Sequence, residues 1–293
     1  MMMAECIASV RKMLAEKRLE GKTISLVPTM GALHDGHRSC MEIAGNEGDI
    51  LVVSIYINPK QFGPSEDLSR YPRMLEKDLE FCERMGCDVV FVPDDEEMYP
   101  ASQDAWVTVE RFAEPLCGRT RPGHFRGVAT VVAKLFNIVD PDVAVFGQKD
   151  AQQAVVIREM VRQLNFRVRL VLSSIVREPD GLAVSSRNAY LNPEERKQAG
   201  GLYDSLLAGR ALLEGGERDP KSVTGAVRDR MIEHGIRDVE YAELLRADDL
   251  SILERAEGKV ILALAARLDT TRLIDNLVLE LLADGSVRET LLF

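Results

Sequence analysis

The chain has 293 residues, 46% of them hydrophobic and 29% charged, and a formal net charge of −10 from 37 Lys and Arg against 47 Asp and Glu. That length and mix suit one large globular domain or two smaller ones with a real core, and exclude a collagen-like, disordered or disulfide-stapled chain. The acidic balance argues against a nucleic-acid polymer or an anionic membrane surface as the main partner, and fits a local basic pocket that takes a small anion.

In chain order, Glu5–Leu19 reads as a helix that carries Arg11, Lys12, Glu16, Lys17 and Arg18 and has no apolar signal-peptide segment. Strands are expected at Thr23–Pro28, Ile50–Ile57, Asp88–Val92, Asp142–Phe146 and Arg167–Leu172, each rich in apolar residues and bounded by Gly, Pro, Asp or polar turns. Helices are expected between them at Gly36–Asn46, Pro72–Met85, Gly127–Val139 and Ala151–Leu164. This alternation predicts an α/β fold: a Rossmann-like doubly wound parallel sheet with helices on both faces, over residues 1–187.

The pattern changes after Val176. Arg177–Gly181 is a turn and Leu182–Asn188 a polar return, followed by helices at Pro193–Leu213 and Pro220–Glu233 and apolar runs at Val239–Leu245, Val260–Ala266 and Leu273–Leu282. We expect a second, smaller α+β domain over 188–293. The apolar stretches fall far short of the ~20 residues a membrane helix needs. Cys6, Cys40, Cys82, Cys87 and Cys117 are odd in number and form no CxxC, as expected of reduced thiols in a cytoplasmic protein.

Four stretches carry chemistry. Pro28-Thr-Met-Gly-Ala-Leu-His34-Asp-Gly-His37 leaves a strand and enters a helix, where backbone N–H groups and two imidazoles on one face suit an anion such as a triphosphate. A plain tight turn, or a metal site using His34, His37 and Cys40, are the competing readings. Asn58-Pro-Lys-Gln61 places an amide, both donor and acceptor, after the next strand, as would an ordinary Asn-Pro loop. Gly147-Gln-Lys149-Asp150 follows a later strand, with Gln153 one turn on, and offers a point charge for phosphate. Val184-Ser-Ser-Arg187 sets two hydroxyls beside a guanidinium, either as a phosphate clamp or as a capped polar loop. The first three stretches lie past the carboxyl ends of expected parallel strands, where ligands of open α/β sheets bind. Neither GxGxxG after the first strand nor a Walker A loop occurs.

The motif His34-Asp-Gly-His37 resembles the HxGH signature of the nucleotidylyltransferase superfamily, whose core is shared with class I aminoacyl-tRNA synthetases, and Val184–Arg187 resembles its second, KMSKS-type signature. Together with Ile57-Asn-Pro-Lys-Gln-Phe-Gly, Gly123-His-Phe-Arg-Gly-Val and Phe146-Gly-Gln-Lys-Asp, they resemble, in order from about residue 23 to 192, the narrower family of pantoate–β-alanine ligases. The resemblance implies a two-step reaction. ATP, accompanied by Mg²⁺, and (R)-pantoate give pantoyl adenylate and pyrophosphate, and the amine of β-alanine then displaces AMP to give pantothenate.

By that analogy, Met30, Gly31, Ala32, Leu33, His34, Asp35, Gly36 and His37 cradle ATP. Gly147, Gln148, Lys149, Asp150, Val176, Val184, Ser185, Ser186 and Arg187 complete the nucleotide site. His37 has a proton-donor role, with His34, Lys149 and Arg187 beside it in catalysis, and Gln61 and Gln153 orient pantoate. No resident metal site is implied, and a homodimer is. Val184 stands where the family often has Met, and Ala151 where it often has an aromatic residue. Both changes predict altered packing or affinity rather than another reaction. The competing functions are a nucleotidylyltransferase that stops at nucleotidyl transfer, a nucleotide-sensing binding protein and a metal-dependent hydrolase.

Overall fold

In this computed structural model, which describes residues 1–64 and 66–293, the chain forms two compact units that interleave in sequence. The first comprises Met1–Glu114, Arg121–Gly147 and Val156–Ser173, and the second Pro115–Thr120, Gln148–Val155 and Ser174–Phe293.

The first unit is built on six strands: β1 (Met2–Ala4), β2 (Ile24–Thr29), β3 (Ile50–Ile55), β4 (Val89–Phe91), β5 (Val143–Gly147) and β6 (Arg169–Ser173). All pair in parallel, in the order β1-β4-β3-β2-β5-β6. Five of them lie on expected strands, with ends moved by one or two residues. The sixth, β1, has only three residues and no alternation to announce it, and it is ordered by pairing Met2–Ala4 with Val89–Phe91. β3 is buried at every position, which explains its unbroken apolar run. From β2 the chain builds outward through β3 and β4 on one side and through β5 and β6 on the other. The topological switch point therefore lies between β2 and β5, where such sheets open for ligands.

Helices α1 (Ile7–Leu19), α2 (Asp35–Glu47) and α3 (Leu75–Arg84), the one-turn helices α4 (Asp95–Met98), α5 (Glu110–Ala113) and α6 (Cys117–Thr120), and the longer α7 (His124–Val139) and α8 (Ala151–Gln163) follow the strands. Met41 and Ala44 of α2 and Cys82 of α3 pack on Val27, Val53 and Val145 of the sheet. Alternation sends Phe146 to the opposite face, where its ring meets Phe136 of α7 edge-on at 6.5 Å. The described helices include none long and apolar enough to cross a membrane, and all five cysteines are free thiols.

The second unit carries α9 (Pro193–Ala199), α10 (Gly201–Glu214), α11 (Pro220–Glu233) and an antiparallel sheet of β7 (Asp238–Arg246), β8 (Gly258–Leu268), β9 (Thr271–Leu281) and β10 (Val287–Glu289), ordered β10-β9-β8-β7. Asn192 and Glu195 form a capping box for α9, and Asp219 caps α11 ahead of Pro220. The single helix expected over Pro193–Leu213 breaks at Gly200. Gly201 then starts α10 where a Cβ would lie 2.3 Å from the His234 ring, so the contact with the end of α11 requires glycine there. Leu206, Leu213, Val227 and Met231 bury against Leu262, Leu264 and Leu277.

The sequence places one boundary at 187/188, whereas contacts group three earlier segments with the C-terminal sheet. Arg177 pairs with Asp275, Cys117 with Tyr241, and Asn276 holds the carbonyls of Gln148 and Lys149. Partners about 100 or more residues apart produce no shift in composition at which a boundary could be drawn.

Candidate functional site

The first stretch begins where β2 ends. Gly31 and Ala32 both take left-handed backbone, with φ of 78° and 51°, and turn the chain sharply toward α2. This turn is held from beneath by Asp78 of α3, which is 3% exposed. Its carboxylate accepts from Ala32 N at 2.9 Å and Leu33 N at 2.8 Å. A Cβ on Gly31 would sit 2.9 Å from Asp78 Oδ2, so the clamp also explains that glycine.

His34 is the N-cap of α2. Its Nδ1 accepts from Gly36 N at 3.2 Å, and His37 Nδ1 accepts from His34 N at 3.2 Å. The two rings lie 4.1 Å apart. An Nδ1 that accepts a backbone N–H places the proton of a neutral ring on Nε2, a tautomer assigned from the hydrogen bonds. The histidines thus cap the helix reciprocally and carry Nε2–H donors. Because Gly36 N–H serves the cap, the imidazoles supply the side-chain donors at this positive helix end. Asp35 pairs with Arg38 at 2.7 Å, and Cys40 is buried in the core with Met41. Among the described residues, no group of three His, Cys, Asp or Glu side chains is arranged to hold a metal ion.

Gln61 lies in a one-turn 3-10 helix, Pro59–Gln61, after β3 and is 8% exposed. Its Oε1 accepts from Asn58 Nδ2 at 2.9 Å, and its Nε2 faces Met30 Sδ at 3.0 Å. Asn58 also donates to Gly127 O at 3.2 Å, and its Oδ1 accepts from Tyr99 Oη at 2.8 Å. Gly127 of α7 presses on this turn so closely that a Cβ there would lie 2.2 Å from Lys60 O. Arg121 and His124 close the turn from the other side. His124 Nδ1 meets Gln61 O at 2.8 Å, and Arg121 donates to Glu66 at 2.5 Å and to His124 Nε2 at 3.0 Å. A cavity of about 520 Å³ opens beside Met30 and Gly31, between the ends of β3 and β4, and is bordered by Tyr56, Arg73, Asp94 and Asp95.

Electrostatics follow from these contacts. Burial pushes the Glu66 carboxyl up, but the Arg121 hydrogen bond and charge more than offset it and hold it below the usual carboxylate range. Burial, together with a 2.8 Å bond to Asp95, raises the Tyr56 phenol well above its ordinary value.

The remaining stretches lie in the second unit, apart from Gly147. Gln148–Asp150 is a 3-10 turn leading into α8, where Gln153 is half-buried. The Gln148 side chain is committed to the C-terminal tail, accepting from Leu292 N at 3.0 Å and donating to Thr290 O at 3.4 Å. The positive charge of Lys149 is felt by the buried Asp275 carboxyl. Val176 and Val184 face each other across the expected turn, with Val184 N donating to Val176 O at 2.9 Å. Ser185 caps the 3-10 turn Ser186–Tyr190 by accepting from Arg187 N. Of the sequence-derived residues, those from Met30 to His37 and Gln61 therefore belong to one unit, and those from Gln148 to Gln153 and from Val176 to Arg187 to the other.

Sequence reasoning missed Asp78 as the clamp of the turn, Asn58 and Gly127 as supports of Gln61, and the Asp275–Asn276 pair. The Gly123–Val128 motif, which held Gly127 and His124, was the available signal for the Gln61 supports. Nothing local marked Asp78, whose partners lie 45 and 46 residues away. Outside these stretches, His234 bonds Asp204 at 2.8 Å, and Arg162 and Arg169 pair with Glu159 and Glu47.

Residues 2–278 match the family model described as pantoate-beta-alanine ligase. A pantothenate synthetase of Thermoanaerobacter pseudethanolicus is 51% identical over 278 residues, covering 95% of this chain and 98% of that one. One of Geobacter sulfurreducens is 51% identical over 279 residues, covering 95% and 99%. The crystal structure of pantothenate synthetase from Thermus thermophilus superposes with a TM-score of 0.90 at 41% identity, covering 94% of this chain and 98% of that one. The pantoate-beta-alanine ligase of Francisella tularensis, complexed with beta-gamma ATP and beta-alanine, gives 0.79 at 30% identity, covering 94% and 97%.

Proposed function

Since the chain belongs to the pantoate–β-alanine ligase family, we propose that it joins (R)-pantoate to β-alanine through a pantoyl-adenylate intermediate, releasing pyrophosphate and then AMP. The observation that carries this reading is the reciprocal His34–His37 cap at the start of α2, which presents two imidazoles with Nε2–H donors at a positive helix end.

A carboxylate needs no general base to attack the α-phosphorus. The first step instead needs held geometry and neutralisation of the charge that develops on the departing pyrophosphate. His37, with His34, donates to phosphate oxygens, and Lys149 and Arg187 add positive charge. Residues 30–37, Gly147–Asp150, Val176 and Val184–Arg187 contact ATP. Gln61 and Gln153 hold the hydroxyls and carboxylate of pantoate. The Gln61 carboxamide is suited to this because Asn58 and the backbone of α7 fix its turn. Mg²⁺ keeps much of its water and binds largely through substrate phosphates, so it arrives on the triphosphate and supplies charge neutralisation there. In the second step the free amine of β-alanine attacks the acyl carbon and AMP leaves. The chain acts as a cytoplasmic homodimer on the family analogy, and light scattering of the purified protein tests the dimer.

The test of the reaction is pyrophosphate–ATP isotope exchange with and without pantoate, in the absence of β-alanine. Exchange that requires pantoate, with β-alanine then diverting the intermediate to AMP and pantothenate, is the expected result. Protein that binds ATP yet gives no pantoate-dependent exchange would overturn the reading. Transfer of AMP to a phosphorylated acceptor would mark a nucleotidylyltransferase instead.

A further inference from the structure

The turn that carries Lys149 is held by a residue far away in sequence. Asn276 on β9 donates from Nδ2 to Gln148 O and to Lys149 O, both at 3.1 Å. Two carbonyls can only accept, so the amide nitrogen must face them. Its Oδ1 is left buried with no partner, in a residue only 3% exposed. An orphaned buried acceptor is costly, and the fold carries that cost while the amide nitrogen serves both carbonyls of the Lys149 turn.

Asn276 is itself locked. Its N–H donates to Asp275 Oδ1 at 2.7 Å, and its carbonyl accepts from Arg177 Nη2 at 3.4 Å. Asp275 is 2% exposed and takes Arg177 bidentately at 2.6 and 3.0 Å. Arg177 also donates to Gly181 O and lies 3.8 Å above the Tyr203 ring. Successive strand residues point to opposite faces, so this pair grips the Val176–Val184 hairpin on one face of the sheet and the Lys149 turn on the other. Gln148, bonded to Thr290 and Leu292, fixes the second side of the turn.

We propose that Asn276 is a positioning residue for adenylate formation: it fixes the backbone from which Lys149 projects, and so the place of the ammonium group. This rests on the reading above in which Lys149 acts on phosphate. A shift of about 1 Å in a reacting group costs about 100-fold in rate.

The experiment is a double-mutant cycle in pantoate-dependent pyrophosphate–ATP exchange, using Asn276→Ala, Lys149→Ala and the double variant in the full chain. Asn276→Ala is expected to lower the exchange rate at saturating pantoate about 10- to 100-fold, with the KM for pantoate changed less than about threefold. In the Lys149→Ala background the same change should cost less than about twofold, because the group it positions is gone. Asn276→Ser, whose hydroxyl is too short to span both carbonyls, carries the cycle if the alanine variant does not fold. Equal losses in both backgrounds, or no loss from either Asn276 variant, would overturn the positioning role. A Lys149→Ala enzyme with undiminished exchange would overturn the role assigned to Lys149 and leave Asn276 with nothing to position. The two failures are therefore told apart.

Discussion

Replacing Gly127 with Ala tests whether the Gln61 turn must be held by α7. The added Cβ would lie 2.2 Å from Lys60 O, 2.5 Å from Lys60 C and 2.7 Å from Gln61 Cα. All three are backbone atoms, one side a helix and the other a 3-10 turn, so no side-chain rotation relieves the clash. Normal contact requires the two elements to separate by about 1 Å or more. That separation strains the Asn58–Gly127 hydrogen bond and moves the Gln61 carboxamide by a similar amount. Overpacking of this kind costs about 1–3 kcal/mol of stability, and a misplacement of that size costs about 100-fold in reaction rate. Urea denaturation reads the first quantity, and kcat/KM for pantoate in pyrophosphate exchange reads the second. Gly45→Ala, on α2 with nothing within 4 Å of the new Cβ, is the control. Wild-type kcat/KM for pantoate in folded Gly127→Ala protein would refute the argument that this contact sets Gln61.

Three further outcomes follow from the same geometry. His37→Ala should lower pantoate-dependent exchange by about 100- to 1,000-fold, the worth of one donor to developing charge, and stopped-flow or isotope-exchange rates near wild type would exclude that role. Asp78→Asn turns one carboxylate oxygen toward Ala32 N or Leu33 N into a donor, so denaturation should show a loss of about 1–3 kcal/mol, and unchanged stability would mean the clamp carries no load. Glu66 has a lowered carboxyl pKa in the folded chain. Its contribution is thus present above the unfolded carboxylate pKa of about 4.3 and is lost as pH falls through the lower folded value. The Tm gap between wild type and Glu66→Gln should therefore narrow from pH 7 toward pH 3, and a constant gap would contradict the Arg121 pairing.

Much of the parallel sheet was legible because β3 and β5 are short Val- and Ile-rich runs set off by polar turns. The HxGH turn was legible because its glycines and histidines are adjacent. What escaped was long-range. β1 is ordered only by β4, about 85 residues on, and Asp78 is one more acid on a helix face until the chain folds. The Gln148 side chain bonds the tail at Thr290 and Leu292, 142 and 144 residues on, which nothing local announces. The Asn276 grip on Lys149 spans 127 residues, and no periodicity reports such a partner.

The chain passes between its two units five times, after Glu114, Thr120, Gly147, Val155 and Ser173. The C-terminal region is consequently not a cassette that recombination can exchange. A hybrid enzyme joined at 187 would inherit Gln148–Val155 and Pro115–Thr120 from one parent and the sheet that grips them from the other. Asn276 would then meet a foreign lysine turn, and Tyr241 a foreign partner at Cys117. Viable hybrids should carry all three segments of the second unit from a single parent, and their lineage would show in a gene as scattered patches rather than one block.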